Sequence, residues 1–297
     1  MIIDRYNKTI YDVLHEGLGK IEKIFEADAL FYYGEFDHRW GIVKRFTDAI
    51  EQLKDDKENK DRLVILLNTP GGSVEVVEKL VDIIRFHYKE VYYIVPDVAF
   101  SAGTVFCLSG DKIFMDYSSA LGPIDPQVFS IKENRYVPAL GYLDKVNELI
   151  EKSKLGTITN VEYTYFQGLD LAFLKSCEQA RDLTTTLLEK WLAEYKFKDW
   201  YVYETNPDKK GKPVKEEEKK ERAVEIAKLL GDNKKWLSHG RHIGIKTLQT
   251  ELKLKIDDYS SNDELRLSIR SYNDIMIGYI IRNINLNPTF IHTRHFL

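Results

Sequence analysis

Cysteine is almost missing from this chain. Two residues in 297, Cys107 and Cys177, cannot form a disulfide framework, so a small stapled scaffold is excluded and a reducing compartment is expected. An excess of basic charge is missing as well. Lys and Arg number 43 against 47 Asp and Glu, giving a net charge of −4 and a pI of about 6.0. That balance excludes a role dominated by phosphate backbones, and no nucleic-acid partner is expected. A membrane span requires a run of about 18 apolar residues. The most apolar stretch, residues 91–108, is interrupted by Pro96, Asp97 and Ser101. Asp4, Arg5, Asn7 and Lys8 stand where the apolar part of a signal peptide would lie. The expectation is a cytoplasmic protein.

What is present suits a large folded domain. The chain is 43% hydrophobic, 30% charged and 12% aromatic, which excludes wholesale disorder and collagen-like or low-complexity scaffolds. At this size roughly 75% of the unfolded chain's surface can be buried. Helical spacing through Tyr11, Val13, Leu14, Leu18, Ile21, Ile24 and Phe25 predicts a long helix or a helix pair over residues 1–30. Residues 29–33 suit a buried strand and residues 42–53 a helix. Residues 63–67 (LVILL) and 91–95 (VYYIV) are apolar at consecutive positions, as strands covered on both faces would be. Each is followed by a turn and a helical pattern, and residues 112–116 read as a further strand. Strand, crossover helix, strand predicts a parallel sheet and an α/β class fold.

Residues 141–198 are largely helical in pattern. In residues 206–222, twelve of 17 positions are charged. This stretch is expected to be a solvated loop leading into a helix over residues 216–230. The tail from Thr289 onward is expected either to be disordered or to dock on a neighbour.

The chemistry is expected at the two turns after the buried strands, because ligands bind beyond the carboxyl ends of parallel strands. Gly71-Gly72 follows the first of them. Lacking Cβ atoms, this pair can turn tightly and bring N–H groups close to a ligand. Ser101-Ala102-Gly103 follows the second. Ser101 heads a helix, where a nucleophile would stand, and converging backbone N–H groups there would hold a developing oxyanion. Taken singly, Gly-Gly also suits an ordinary turn and Ser101 an ordinary helix N-cap.

Three motifs in order carry more than either turn alone: Leu66-Leu67-Asn68-Thr69-Pro70-Gly71-Gly72-Ser73, Phe100-Ser101-Ala102-Gly103-Thr104, and Leu121-Gly122-Pro123-Ile124-Asp125-Pro126-Gln127. Together they resemble the SDH-type serine proteinases (serine dehydrogenase proteinases) of the Clp/crotonase fold. Those are relatives of the Clp protease proteolytic subunit and of signal peptide peptidase A. The likeness covers residues 60–130 and continues more weakly to about residue 260 through Gly240-Arg241-His242-Ile243. It implies a Clp/crotonase-like spiral of ββα units with additional helices at the N-terminus and in the C-terminal half. The corresponding division is an N-terminal helical segment at 1–30, a proteinase domain at 31–260 and a C-terminal extension at 261–297. The resemblance further implies homo-oligomers, a peptide or protein substrate, and hydrolysis through an acyl-enzyme without a cofactor.

Carried onto this chain, the resemblance makes Ser101 the nucleophile and assigns the oxyanion hole to Gly71, Gly72 and Ala102. The base departs from the pattern. Pro123-Ile124-Asp125-Pro126 stands where the Clp subunit has its histidine, and Arg241-His242-Ile243 where it has its acid. Three arrangements follow. His242 and Asp125 exchange places, with His242 the base and Asp125 its orienting group. Alternatively a lysine serves, with Lys145, Lys152 and Lys154 the candidates, each of which would need desolvation to lose its proton near neutrality. In the third no base remains, and the chain is a catalytically inactive assembly or binding module. A crotonase-like acyl-thioester enzyme using only the oxyanion hole is a further alternative, opposed by Ser101. His239 and His242 lie close in sequence without a clear third ligand, so no metal is expected. The sequence carries no phosphate-binding loop ending in Lys-Ser/Thr, so unfolding of substrates would fall to a separate unfoldase or a membrane-associated partner.

Overall fold

Strands apolar at every position make sense only where both sheet faces are covered, and here they are. In the computed structural model of the chain, residues 2–204, 208–283 and 288–296 are described. The first part runs α1 (Ile2–Phe25), β1 (Asp28–Tyr33), α2 (Ile42–Asp55), β2 (Arg62–Asn68), α3 (Val74–His87), β3 (Glu90–Val95), β4 (Val98–Ala99), α4 (Ala102–Leu108), β5 (Lys112–Met115) and β6 (Ala120–Leu121). A hairpin follows, β7 (Gln127–Ser130) and β8 (Arg135–Pro138). Then come α5 (Ala139–Lys154), α6 (Asn160–Gln167), α7 (Leu171–Trp191), α8 (Glu216–Leu230), α9 (Asn233–Trp236), α10 (Ile245–Thr250), β9 (Asp257–Asp258), α11 (Asp263–Asn283) and β10 (Phe290–His292).

The main sheet has the order β10-β1-β2-β3-β5-β9. Its members pair in parallel except β10, which runs antiparallel along β1. Alternate residues of β2 enter different cores. Leu63, Ile65 and Leu67 pack with residues of α2, α3 and α4, and Val64 and Leu66 with residues of α1 and α11. This two-sided burial is the reason residues 63–67 show no polar alternation.

A second, shorter layer turns the sheet into a spiral. After β2, Thr69 bridges Ala99 and Gly72 bridges Phe36. After β3, β4 pairs in parallel with β6, and β6 in turn bridges Ile243 through Leu121. Long strand, short strand, helix, repeated, is the ββα spiral of the Clp/crotonase class. The added helices lie at the N-terminus and in the C-terminal half, as expected.

The segments expected to flank a 31–260 domain are integral to its sheet. The N-terminal segment forms one helix, α1, rather than a pair, and α1 packs with α11 on one face. The described part of the tail, residues 289–296, docks on the sheet of its own chain. Its β10 adds an edge strand to β1, and Arg294 reaches into the end of the sheet. The charged stretch at 206–222 is also less solvated than its composition suggests. Asn206 and Pro207 lie outside the described residues, but Lys219 of α8 is buried and donates to the Lys198 carbonyl at 3.1 Å. Val202 bridges Pro213, which folds the loop back on itself.

Arg294 holds together carboxylates that would otherwise repel. It donates to Glu22 (2.6 Å), Asp28 (2.9 Å) and Asp56 (3.0 Å). Asp28 is fully buried and also accepts from the Tyr88 hydroxyl (2.9 Å) and the Lys60 N–H (3.1 Å). Removing the cation leaves a buried carboxylate short of its counter-charge. Arg294→Ala is expected to lose about 3 kcal/mol of stability by urea unfolding at pH 7. Adding Asp28→Asn to that variant is expected to restore part of the loss.

Candidate active site

Ser101 occupies a backbone conformation that a residue with a side chain adopts at a cost. Its φ is 52° and its ψ −118°. Strain of this kind amounts to roughly 1–3 kcal/mol and persists only where the surroundings enforce it. Here the enforcement is dense. The Phe100 N–H donates to the Thr69 carbonyl (3.1 Å), and the Thr69 N–H to the Val98 carbonyl (3.0 Å). The Gly103 N–H closes on Phe100 (2.8 Å) and the Thr104 N–H on Ser101 (2.9 Å). The buried Thr104 hydroxyl lies 2.9 Å from the Ala99 and Gly122 carbonyls and accepts the Gly122 N–H at 2.9 Å. Ser101 itself is half-buried, the whole of α4 behind it fully so.

The glycine turn is pressed against this elbow. A Cβ on Gly71 would fall 2.8 Å from the Ser101 Cβ and 2.8 Å from the Phe100 carbonyl. A Cβ on Gly72 would fall 2.5 Å from the Phe36 carbonyl. Both residues have positive φ, 111° and 133°, which favours glycine.

The expected oxyanion donors separate on inspection. The Gly71 N–H is already donated to the Thr69 hydroxyl at 3.0 Å, so it is not free for a substrate oxygen. This corrects the expectation for Gly71, whose contribution is room for Ser101. Among the described residues the N–H groups of Gly72 and Ala102 have no acceptor. Ala102 opens α4, so the helix supplies none either.

The candidate bases are placed differently from one another. His242 stacks edge-to-face on Phe100, the neighbour of Ser101, with ring centroids 4.9 Å apart. It is carried there by Ile243, which exchanges two hydrogen bonds with Leu121 of β6 (2.8 and 3.0 Å). His242 is exposed. Asp125 does not orient it through any hydrogen bond among the described residues. Its buried carboxylate accepts the Leu140 N–H (3.1 Å) at the start of α5. Burial pushes the Asp125 carboxyl up to about 6, against the lowering effect of that N–H, and Asp144 adds to the rise.

The lysines lack the desolvation a lysine base requires. Lys145 is 60% exposed and pairs with Glu148 (3.0 Å). Lys154 pairs with Glu151 (2.7 Å). Lys152 pairs with Glu162 (2.6 Å) and Glu148 (3.1 Å), and these hydrogen bonds hold its ammonium above the usual lysine range, the wrong direction for a base. Among the described residues no cluster of three His, Cys, Asp or Glu side chains is arranged to hold a metal ion.

Sequence reading missed three contributors. Phe100 is the platform for His242, Thr69 occupies the Gly71 amide, and Thr104 ties the elbow to Gly122. All three stand inside the recognised motifs, but only their contacts in space distinguish them from spacers.

Residues 43–155 match the ClpP-like SDH-type serine proteinases. That stretch holds Gly71, Gly72, Ser101, Ala102 and Asp125, and leaves His242 outside. Two uncharacterized proteins of Methanocaldococcus jannaschii are similar to the chain. One is 30% identical over 146 residues, covering 46% of this chain and 49% of the relative. The other is 25% identical over 154 residues, covering 50% and 52%. The chain thus spans about half the length of the curated relatives it matches. Among solved structures it is similar to a variant of the 1510-N membrane-bound stomatin-specific protease, at a TM-score of 0.40 and 15% identity over 80% of this chain and 81% of that one. It is also similar to ClpP1 from Listeria monocytogenes, at a TM-score of 0.44 and 14% identity over 82% and 98%. Among the described residues no helix is long and apolar enough to cross a membrane.

The Asp125 carboxyl yields a pH dependence of opposite sign to that of a salt-bridged aspartate. Its folded value near 6 lies above the ordinary 3.8. Between the two the folded state binds more protons than the unfolded state, so stability falls as pH rises through that window and stays reduced above it. Allowing for partial screening by water, the loss is about 2 kcal/mol. Asp125→Asn keeps the acceptor for Leu140 and is expected to remove this fall. Urea unfolding of parent and variant at pH 4.5 and pH 7.5 checks it, and equal differences at both pH values exclude a raised carboxyl.

Proposed function

We propose that the chain is a serine peptidase that cleaves peptide bonds through an acyl-enzyme on Ser101. The single observation that carries this reading is the strained Ser101 elbow, set against a glycine turn with two unclaimed amides beside it. The Ser101 Oγ attacks the scissile carbonyl while its proton passes to His242. The carbonyl oxygen gains negative charge and is held by the N–H groups of Gly72 and Ala102. The tetrahedral adduct collapses, His242 returns the proton to the leaving amine, and an acyl-Ser101 ester remains. Water, deprotonated by His242, then releases the acid and restores the hydroxyl.

His242 is favoured as base over Lys145 by its contact with Phe100, beside the nucleophile, and by the exposure of Lys145, which is paired with Glu148. Peptides and unfolded tails are the proposed substrates, in a homo-oligomer served by a separate unfoldase or membrane-associated partner where targets are folded. One observation favours the inactive assembly or binding module as a second reading. No carboxylate among the described residues hydrogen-bonds His242, so the base lacks the partner that orients it in a full triad.

A fluorophosphonate probe separates the readings. Parent protein is expected to be labelled and Ser101→Ala not at all. His242→Ala is expected to slow labelling by roughly 10²- to 10⁴-fold, the range for loss of a general base, and Lys145→Ala to leave it unchanged. A folded parent that resists the probe across pH 6–9 sinks the peptidase reading in favour of the binding module.

A further inference from the structure

The site described above leaves unexplained why a helix packed on the sheet carries buried polar side chains. α11 seats itself through Leu265, Ile269, Tyr272, Met276 and Ile280. Apolar residues alone would do this, yet Asn273 on the same helix is only 5% exposed. A buried amide is costly unless its donors and acceptor are met. Asn273 finds its partners in Asn68 and Asp97, which lead into the two turns of the candidate site.

Asn273 donates to the Asp97 carboxylate at 2.9 Å and accepts from the Asn68 amide at 3.3 Å. The Asn68 amide also donates to Asp97 at 2.8 Å, and its carbonyl accepts the Val98 N–H at 3.3 Å. Asn68 ends β2, three residues before Gly71, and Asp97 begins the passage from β3 to Ser101. The Asp97 main-chain carbonyl accepts the Ala120 N–H (2.9 Å), at the start of the strand that holds Ile243 beside His242. One turn before Asn273, Arg270 donates to the buried Asp116 carboxylate (2.9 Å) and to the Ser118 hydroxyl (3.0 Å). Asp116 follows β5 and opens the loop into β6.

We propose that Asn273 and Arg270 of α11 are positioning residues: they lock the glycine turn, the nucleophile turn and the β6 loop into one arrangement across the carboxyl ends of β2, β3 and β5. The proposal rests on the reading of Ser101 as nucleophile for its effect on activity, not for the bracing itself. Neither side chain touches the reacting atoms. They act by fixing where Gly72, Ala102 and His242 stand relative to Ser101, which matters because displacement of about 1 Å costs up to roughly 100-fold in rate.

The test compares Asn273→Ala and Arg270→Ala with Met276→Ala, which removes packing from the same helix without touching the turns. Two quantities are read on folded protein: the rate of Ser101 labelling by the fluorophosphonate probe, and amide hydrogen exchange in residues 69–73 and 97–101. Asn273→Ala is expected to slow labelling by roughly 10- to 100-fold and to speed exchange in both turns. Arg270→Ala is expected to slow labelling as well, to a smaller extent. Met276→Ala is expected to lower the thermal midpoint at least as much as Asn273→Ala while labelling within about twofold of the parent. Should Asn273→Ala fail to fold, Asn273→Asp keeps the shape, loses the donor to Asp97, and is expected to slow labelling similarly. Parental labelling in the Asn273 variants, or equal slowing in Met276→Ala, overturns the proposal. If the parent itself is never labelled, the peptidase reading has failed separately, and exchange decides: unchanged protection of both turns in the Asn273 variants overturns the bracing.

Discussion

The contact between Gly71 and Ser101 is the constraint on which the rest of the site depends. Ser101 can hold its positive φ because the neighbouring turn presents a bare Cα where any other residue would put a Cβ 2.8 Å from the serine side chain. Holding both turns in place takes the hydrogen bonds from Thr69 to β4 and from Phe100 to Thr69, which in turn require β2 and β3 to lie in register. Register is secured by burial on both faces: sliding one strand by a residue would exchange its two apolar sets between two differently shaped cores. A local strain of a few kilocalories is thus maintained by central strands, β2 and β3, that are buried on both faces.

Burial of that sheet needs two helices far apart in the sequence. The helices between strands cover one face. α1 and α11, more than 230 positions apart, cover the other. The edge strand β10 and Arg294 tie the end of the described chain to β1 and α1. The polar residues α11 sends to the strand ends make the same helix a structural cover and a strut for the turns. This coupling follows from the spiral topology, which gathers the ends of successive strands at one place where a single helix can span them.

Much of this architecture was legible in the residues. The runs at 63–67 and 91–95 are strands because uninterrupted apolar sequence of that length has no other economical use between helices, and Gly71-Gly72 and Ser101-Ala102-Gly103 mark the turns after them. The candidate nucleophile follows from its position at the head of a helix, and the resemblance of the motifs supplied the Gly72 and Ala102 amides as its oxyanion donors. The tail was not legible: Phe290-Ile291-His292 is too short to announce a strand until β1 offers it an edge. Asp125 was not legible either. Its place in a motif suggested a role beside a histidine, but the start of α5 takes its carboxylate through the Leu140 N–H. The lysines of α5 lie on a helix rich in glutamate, and proximity along the helix decided their partners.

Local sequence determined which segments are strands, which turns can carry a nucleophile and which positions only glycine can fill, because those properties depend on backbone sterics and burial within a few residues. Only the tertiary structure decided that His242 packs on Phe100 and that a helix near residue 270 reaches the strand ends near residues 70 and 100. Those outcomes depend on contacts between segments 30 to 200 residues apart. A hydrogen-bonding group has only so many partners, and which one it takes is settled by what folding brings within reach, a competition no linear pattern records.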